Sequence, residues 1–143
     1  MSGIIRIVII GSSGYCSVDE AFNDKVTITE DSISYEYTPY VESEINPKRK
    51  WSYKTNSPIF KVKYSEIARK VEEAIQRNIT EFYTDIGDIA FDITYSDKTK
   101  FKETYGVPGD EFKELFSVIK SIVPETEYTP AVLLTSDDFD EEE

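Results

Sequence analysis

Asp88-Ile89-Ala90-Phe91-Asp92-Ile93-Thr94-Tyr95, followed by Ser96-Asp97-Lys98 and Thr99-Lys100-Phe101-Lys102-Glu103-Thr104-Tyr105, sets the fold class. Ile89, Phe91, Ile93 and Tyr95 fall on one side of an extended chain, and Asp88, Ala90, Asp92 and Thr94 on the other. A period of two is that of a strand with one covered face. Ser96-Asp97-Lys98 supplies a turn, so the segment reads as a β-hairpin. The next segment has a different period. After Pro108-Gly109-Asp110, apolar residues recur at Phe112, Leu115, Phe116, Ile119 and Val123, which is one stripe of a helix that Pro124 stops. Asp110 is the expected N-cap.

The same pairing of hairpin and helix stands upstream. Val26, Ile28, Ile33, Tyr35 and Tyr37 alternate on either side of a Glu30-Asp31 turn. Ser57-Pro58 then suits a helix start, because serine caps and proline fits the first helical position. Phe60, Tyr64, Ile67, Val71 and Ile75 follow as one stripe, with an end near Asn78. Residues 38–56, with Pro39 and Pro47, read as a long connection. Ile4 to Ile10 is an unbroken apolar run that reads as a strand buried on both faces, ended by Gly11-Ser12-Ser13-Gly14. Ala131 to Leu134 reads as a last short strand. The expectation is an α+β fold of order β-ββ-α-ββ-α: an antiparallel sheet of five or six strands with two helices on one face. Residues 1–135 form one domain, and 136–143 are an acidic tail that cannot pack by itself.

Composition narrows function more than it names it. A chain of 143 residues, 39% hydrophobic and 31% charged, can bury a core without staples. There is no histidine, which removes Ser-His-Asp and Cys-His catalysis and nearly every usual zinc site. One cysteine, Cys16, allows no internal disulfide and no thiolate cluster. The apolar run at Ile4 is too short to span a membrane and carries Arg6, and a cytoplasmic location without membrane association is expected. Any catalysis would have to use carboxylates, lysine, tyrosine or Cys16, so a binding role is expected over an enzymatic one, with no cofactor and no bound metal.

Charge is the most distinctive property. The net value of −12 divides into −6 for residues 1–45, +6 for 46–78 and −12 for 79–143. Such asymmetry bears on partners and not on fold.

Each candidate site has an ordinary reading beside it. Gly11, Ser12, Ser13 and Gly14 follow a strand as a phosphate-cradling loop would. They lack the following lysine and the spacing of either nucleotide-binding fingerprint, so a plain turn is the better reading. Asp85, Asp88, Asp92 and Asp97 could ligate a hard cation, but a solvated strand face explains Asp88 and Asp92, and the spacing fails the calcium-loop pattern. Lys48, Arg49, Lys50 and Trp51, continuing to Ser52-Tyr53-Lys54, interleave cations with aromatics in a way that could hold phosphates and stack bases. The alternative is that Trp51 plugs the core against Tyr53 and the first helix while the lysines stay wet.

The strings Lys50 to Pro58, Asp92 to Lys100, Pro108 to Phe112 and Glu127 to Thr135 resemble a group of small, uncharacterised acidic proteins of Gram-positive gut bacteria or their phages. The likeness covers roughly residues 46–140 and leaves the first 45 outside it. It brings no catalytic residues, and it implies a bacterial or phage-related intracellular protein.

Three function classes stay open, of which a carboxylate- or metal-dependent enzyme ranks last because no constellation of residues stands out. The first is a non-enzymatic interaction module whose acidic surface engages a basic protein partner by imitating nucleic acid, as small anti-CRISPR and anti-restriction inhibitors do. Asp88, Asp92, Glu111, Glu114, Asp137, Asp138 and Asp140 would form that surface, and direct nucleic-acid binding is not expected. The second is a small-molecule or nucleotide-binding domain using Gly11 to Gly14 and Lys48 to Lys54.

Overall fold

The computed structural model describes residues 3–12, 21–44, 47–76, 89–105, 112–123 and 131–133. Its strands are β1 (Ile4–Ser12), β2 (Phe22–Thr29), β3 (Ser32–Pro39), β4 (Arg49–Lys54), β5 (Ile89–Tyr95) and β6 (Lys100–Tyr105). Helix α1 (Pro58–Gln76) stands between β4 and β5, α2 (Lys113–Lys120) follows β6, and Ala131–Leu133 form a 3-10 turn. The strands make one antiparallel sheet in the order β4-β3-β2-β1-β5-β6. The chain is α+β, as the two periodicities require.

Both hairpins lie where the alternation puts them. Between β2 and β3 the turn is held locally: the Thr29 hydroxyl donates to Asp31 Oδ1 at 3.0 Å. At the β5–β6 turn Lys98 takes a φ of 75°, the left-handed conformation such a tight reversal needs. Helix α1 starts on Pro58, and Ser57 Oγ accepts from the Ile59 amide at 3.2 Å. Its buried stripe is Phe60, Tyr64, Ile67, Val71 and Ala74, with Ile75 only partly covered.

The register puts one residue set on one face. Ile7 and Ile9 of β1 stand beside Ile28 and Val26 of β2, which stand beside Ile33 and Tyr35 of β3; Ile93 and Phe91 flank them on β5. These side chains and those of α1 and α2 form a single core cluster. Phe91, Phe112 and Tyr105 meet edge to face at 5.0 to 5.7 Å, which docks α2 on β5 and β6. Burying an aromatic or a branched aliphatic there is worth about 1.5–3 kcal/mol each.

Five expectations are corrected. Residues 38–56 are not all connection, because Arg49–Lys54 pair with β3 as an edge strand. Its alternation is hidden, since only Trp51 among the six is buried. Strand β1 does not stop at Ile10 but runs through Gly11 and Ser12. It is not covered on both faces either: Val8 is buried, but Ile5, Arg6 and Ile10 are exposed. Residues 131–133 turn as a 3-10 helix instead of extending. Finally, the N-cap of α2 is Phe112, a buried ring that offers no side-chain acceptor; Asp110 lies outside the described residues.

Candidate interaction surfaces and a buried carboxylate

Asp24 is the one polar or charged residue buried among those described, at 2% exposure. It sits in β2 on the helix side of the sheet, between Gly11 of β1 and Tyr37 of β3. Its Oδ2 accepts from the Tyr35 hydroxyl at 2.8 Å and from the Val132 amide at 2.9 Å. Its Oδ1 is buried and has no hydrogen-bond partner. Burial pushes the Asp24 pKa above the ordinary 3.8, and the two donors pull it partly back. Chemically this is a clamp: one carboxylate oxygen ties the 3-10 turn, more than a hundred residues away in sequence, to the central strands.

Gly11 exists for that clamp. A Cβ there would stand 2.5 Å from Asp24 Oδ1 and 2.6 Å from Val132 Cγ2. The glycine proposed as the first residue of a phosphate loop is therefore a strand residue that admits two side chains. Ser12 follows it in the strand; Ser13 and Gly14 lie outside the described residues, as does Cys16.

Trp51 is buried at 8% and packs on Tyr35 across the β3–β4 pair, ring centroids 6.0 Å apart. It is thus a core anchor, with Tyr35 as its neighbour. Tyr53 instead packs on Phe60 of α1 at 6.4 Å. Arg49 lies over the Tyr37 ring at 5.4 Å, while Lys48 and Lys50 are exposed. The stacking platform that Lys48 to Lys54 suggested is mostly an edge strand whose tryptophan faces inward.

Tyr64 of α1 donates its hydroxyl to the Ile4 carbonyl at 2.8 Å, beside the irregularity where β1 shifts register between Ile4 and Arg6. Burial, helped by the negative charge of Glu30, pushes its pKa up to about 12. The hydrogen bond gives the Ile4 carbonyl, at the edge of that irregularity, a buried partner on α1.

The acidic candidates do not assemble on the framework. Asp92 points to the helix-free face but is only 22% exposed, and its Oδ2 lies 3.8 Å from Lys102. The strand alternation alone would put it in solvent; its place between Val8 and Lys102 on inner strand β5 covers it instead. Glu114 is 87% exposed and 3.6 Å from Lys70, on the helix side of the sheet. The two carboxylates therefore stand on opposite sides of the molecule. Asp88, Glu111, Asp137, Asp138 and Asp140 lie outside the described residues.

The helix-free face itself is cationic. Its rows read Lys50–Glu36–Lys25–Ile10–Ala90–Thr104, then Ser52–Ser34–Thr27–Val8–Asp92–Lys102, with Lys54–Ser32–Thr29 and Arg6–Thr94–Lys100 beside them. Six cations and two acids share it. Taken together, the described residues hold 15 Lys and Arg against 13 Asp and Glu, so the acidity of the chain resides in the segments around them. Among the described residues no group of three or more His, Cys, Asp or Glu could hold a metal ion. No described helix is long and apolar enough to cross a membrane.

Family models, curated proteins and solved structures return no match to this chain.

Proposed function

We propose that this chain is a non-enzymatic, cytoplasmic interaction module whose acidic segments engage a basic protein partner, in the manner of an inhibitor that imitates nucleic acid. The observation that carries the reading is the segregation of charge. The described residues are slightly cationic, while residues 13–20, 77–88, 106–111, 124–130 and 134–143 together hold 15 acids and one base. Charge of that density, concentrated in those segments of the sequence, steers a cationic partner and gives an affinity that falls steeply with salt.

Asp92 leaves the candidate surface, because it is largely covered and beside Lys102. Asp88, Glu111, Glu114, Asp137, Asp138 and Asp140 remain. The nucleotide-binding alternative loses support at two points: Trp51 is buried, and the space over Gly11 is filled by Asp24 and Val132.

The test is capture of basic proteins from lysate by the immobilised full chain at low salt. Changing Asp88, Glu111, Glu114, Asp137, Asp138 and Asp140 to the corresponding amides should lose most of what is captured, while Asp92→Asn should retain it. Recovery of the same partners by the six-fold variant would overturn the proposal.

A further inference from the structure

We infer that the helix-free sheet face is the docking site of the chain's own acidic tail, Asp137 to Glu143. Arg6, Lys25, Lys50, Lys54, Lys100 and Lys102 project from that face, drawn from four strands. Three of them sit opposite an acid in register, Lys25 and Lys50 on either side of Glu36 and Lys102 beside Asp92, and only Lys25 and Lys102 come within ion-pair distance, each at 3.8 Å. Among the described residues, Arg6, Lys50, Lys54 and Lys100 have no ion-pair partner.

Edge protection is the ordinary explanation of lysines on a sheet. It accounts for Lys50, Lys54, Lys100 and Lys102 on β4 and β6, but Lys25 and Arg6 belong to the inner strands β2 and β1. An anionic occupant explains all six. Nucleic acid fits it poorly, because among the described residues no aromatic side chain stands on this face to stack a base: Tyr35, Trp51, Tyr53, Phe91 and Tyr105 all share the other. The chain's net charge of −12 also repels a separate polyanion. A tethered segment escapes that repulsion through its high effective concentration.

The tail has the matching chemistry. Six of the seven residues from Asp137 to Glu143 are acidic, and the seventh is Phe139. Between its cations the face offers an apolar side chain, Ile10, at 37% exposure. Reach allows it. Leu133 ends the 3-10 turn packed over Gly11 on the helix side, one residue from the end of β1 at Ser12, and ten further residues, extending roughly 33–36 Å, are long enough to pass that strand end to the opposite face. The inference goes beyond the proposed function and needs no partner to be tested. A basic partner would have to displace the tail from its own sheet.

The experiment compares the full chain with a full-length variant in which Asp137, Asp138 and Asp140 are changed to Asn and Glu141, Glu142 and Glu143 to Gln. Acetylation of individual lysines is followed by mass spectrometry at low and high salt. At low salt Lys50, Lys54 and Lys100 should react several-fold more slowly in the original chain, with Lys61 on α1 unchanged as the internal control. About 0.5 M salt should erase the difference, since screening then acts within a few ångströms. Equal reactivity in the two chains at low salt would overturn the inference. So would protection that grows with protein concentration, which would assign the tail to a second copy.

Discussion

The two faces of the sheet are built from the same six strands, residue by residue in alternation, and they obey different rules. On the helix side, Ile7, Ile9, Val26, Ile28, Ile33, Ile67, Ile93 and Phe116 are wholly buried, and buried polar atoms are few, with Trp51 Nε1 and Asp24 Oδ1 left without a hydrogen-bond partner. Asp24 is the buried charged residue there, with two donors on one oxygen and none on the other. On the open side, hydroxyls and lysines face solvent, and ion pairs are loose. One face determines that the chain folds; the other is left to carry charge, because exposed ions contribute little to stability.

Substitutions should separate the faces by size of effect. Trp51→Ala removes a buried indole from the helix side and should cost about 3–5 kcal/mol in a urea titration. Ser52→Ala, its neighbour on the open face, should change stability by less than about 0.5 kcal/mol. Equal costs for the two would mean that the edge strand β4 does not face the way its register says.

Asp24→Ala comes next. It leaves the Tyr35 hydroxyl and the Val132 amide without an acceptor, at about 1–3 kcal/mol for each group stranded. The pH dependence is more discriminating. With its pKa raised in the fold, Asp24 binds its proton more tightly folded than unfolded. Its contribution to stability is fully present below the ordinary 3.8 and is lost as pH rises through the raised value. Asp24→Asn should abolish that decline, so the stability difference between the two chains should change with pH in the acid range and level off above it. A difference independent of pH would show that this carboxyl does not titrate abnormally.

Gly11→Ala tests the same clamp from the other side. The new methyl must displace Asp24 or Val132, which should cost about 1–3 kcal/mol. Tyr64→Phe should cost about 1 kcal/mol for the lost bond to the Ile4 carbonyl. In the original chain this tyrosine should ionise near pH 12, visible as delayed tyrosinate absorbance that the variant lacks. At the small end stands the Lys25–Glu36 pair on the open face. A double-mutant cycle should return about 0–1 kcal/mol and shrink with salt. A coupling well above that would mean that the open face is itself covered in solution.

Much of this was legible from local pattern. The period of two in β5 and the β2–β3 hairpin, and the stripe from Phe60 to Val71, put the right residues inward because periodicity is a property of neighbouring residues. The helix start at Ser57-Pro58 was likewise local chemistry. Strand β4 was not legible: an edge strand needs one buried side chain, and a single tryptophan among cations shows no period.

Read along the chain alone, the residues settle the alternation, and with it the class of fold. Which distant residues meet is a matter of strand pairing. Asp24 reads as one acid among 28, and only that pairing brings it beneath Val132 and over Gly11. The cationic face is likewise invisible along the chain, since its six members come from four strands separated by up to 96 residues. The physical reason is common to both. Burial and electrostatics depend on distance in space, and in a sheet the distance between segments far apart in sequence is set by which strands pair, which no run of neighbouring residues encodes.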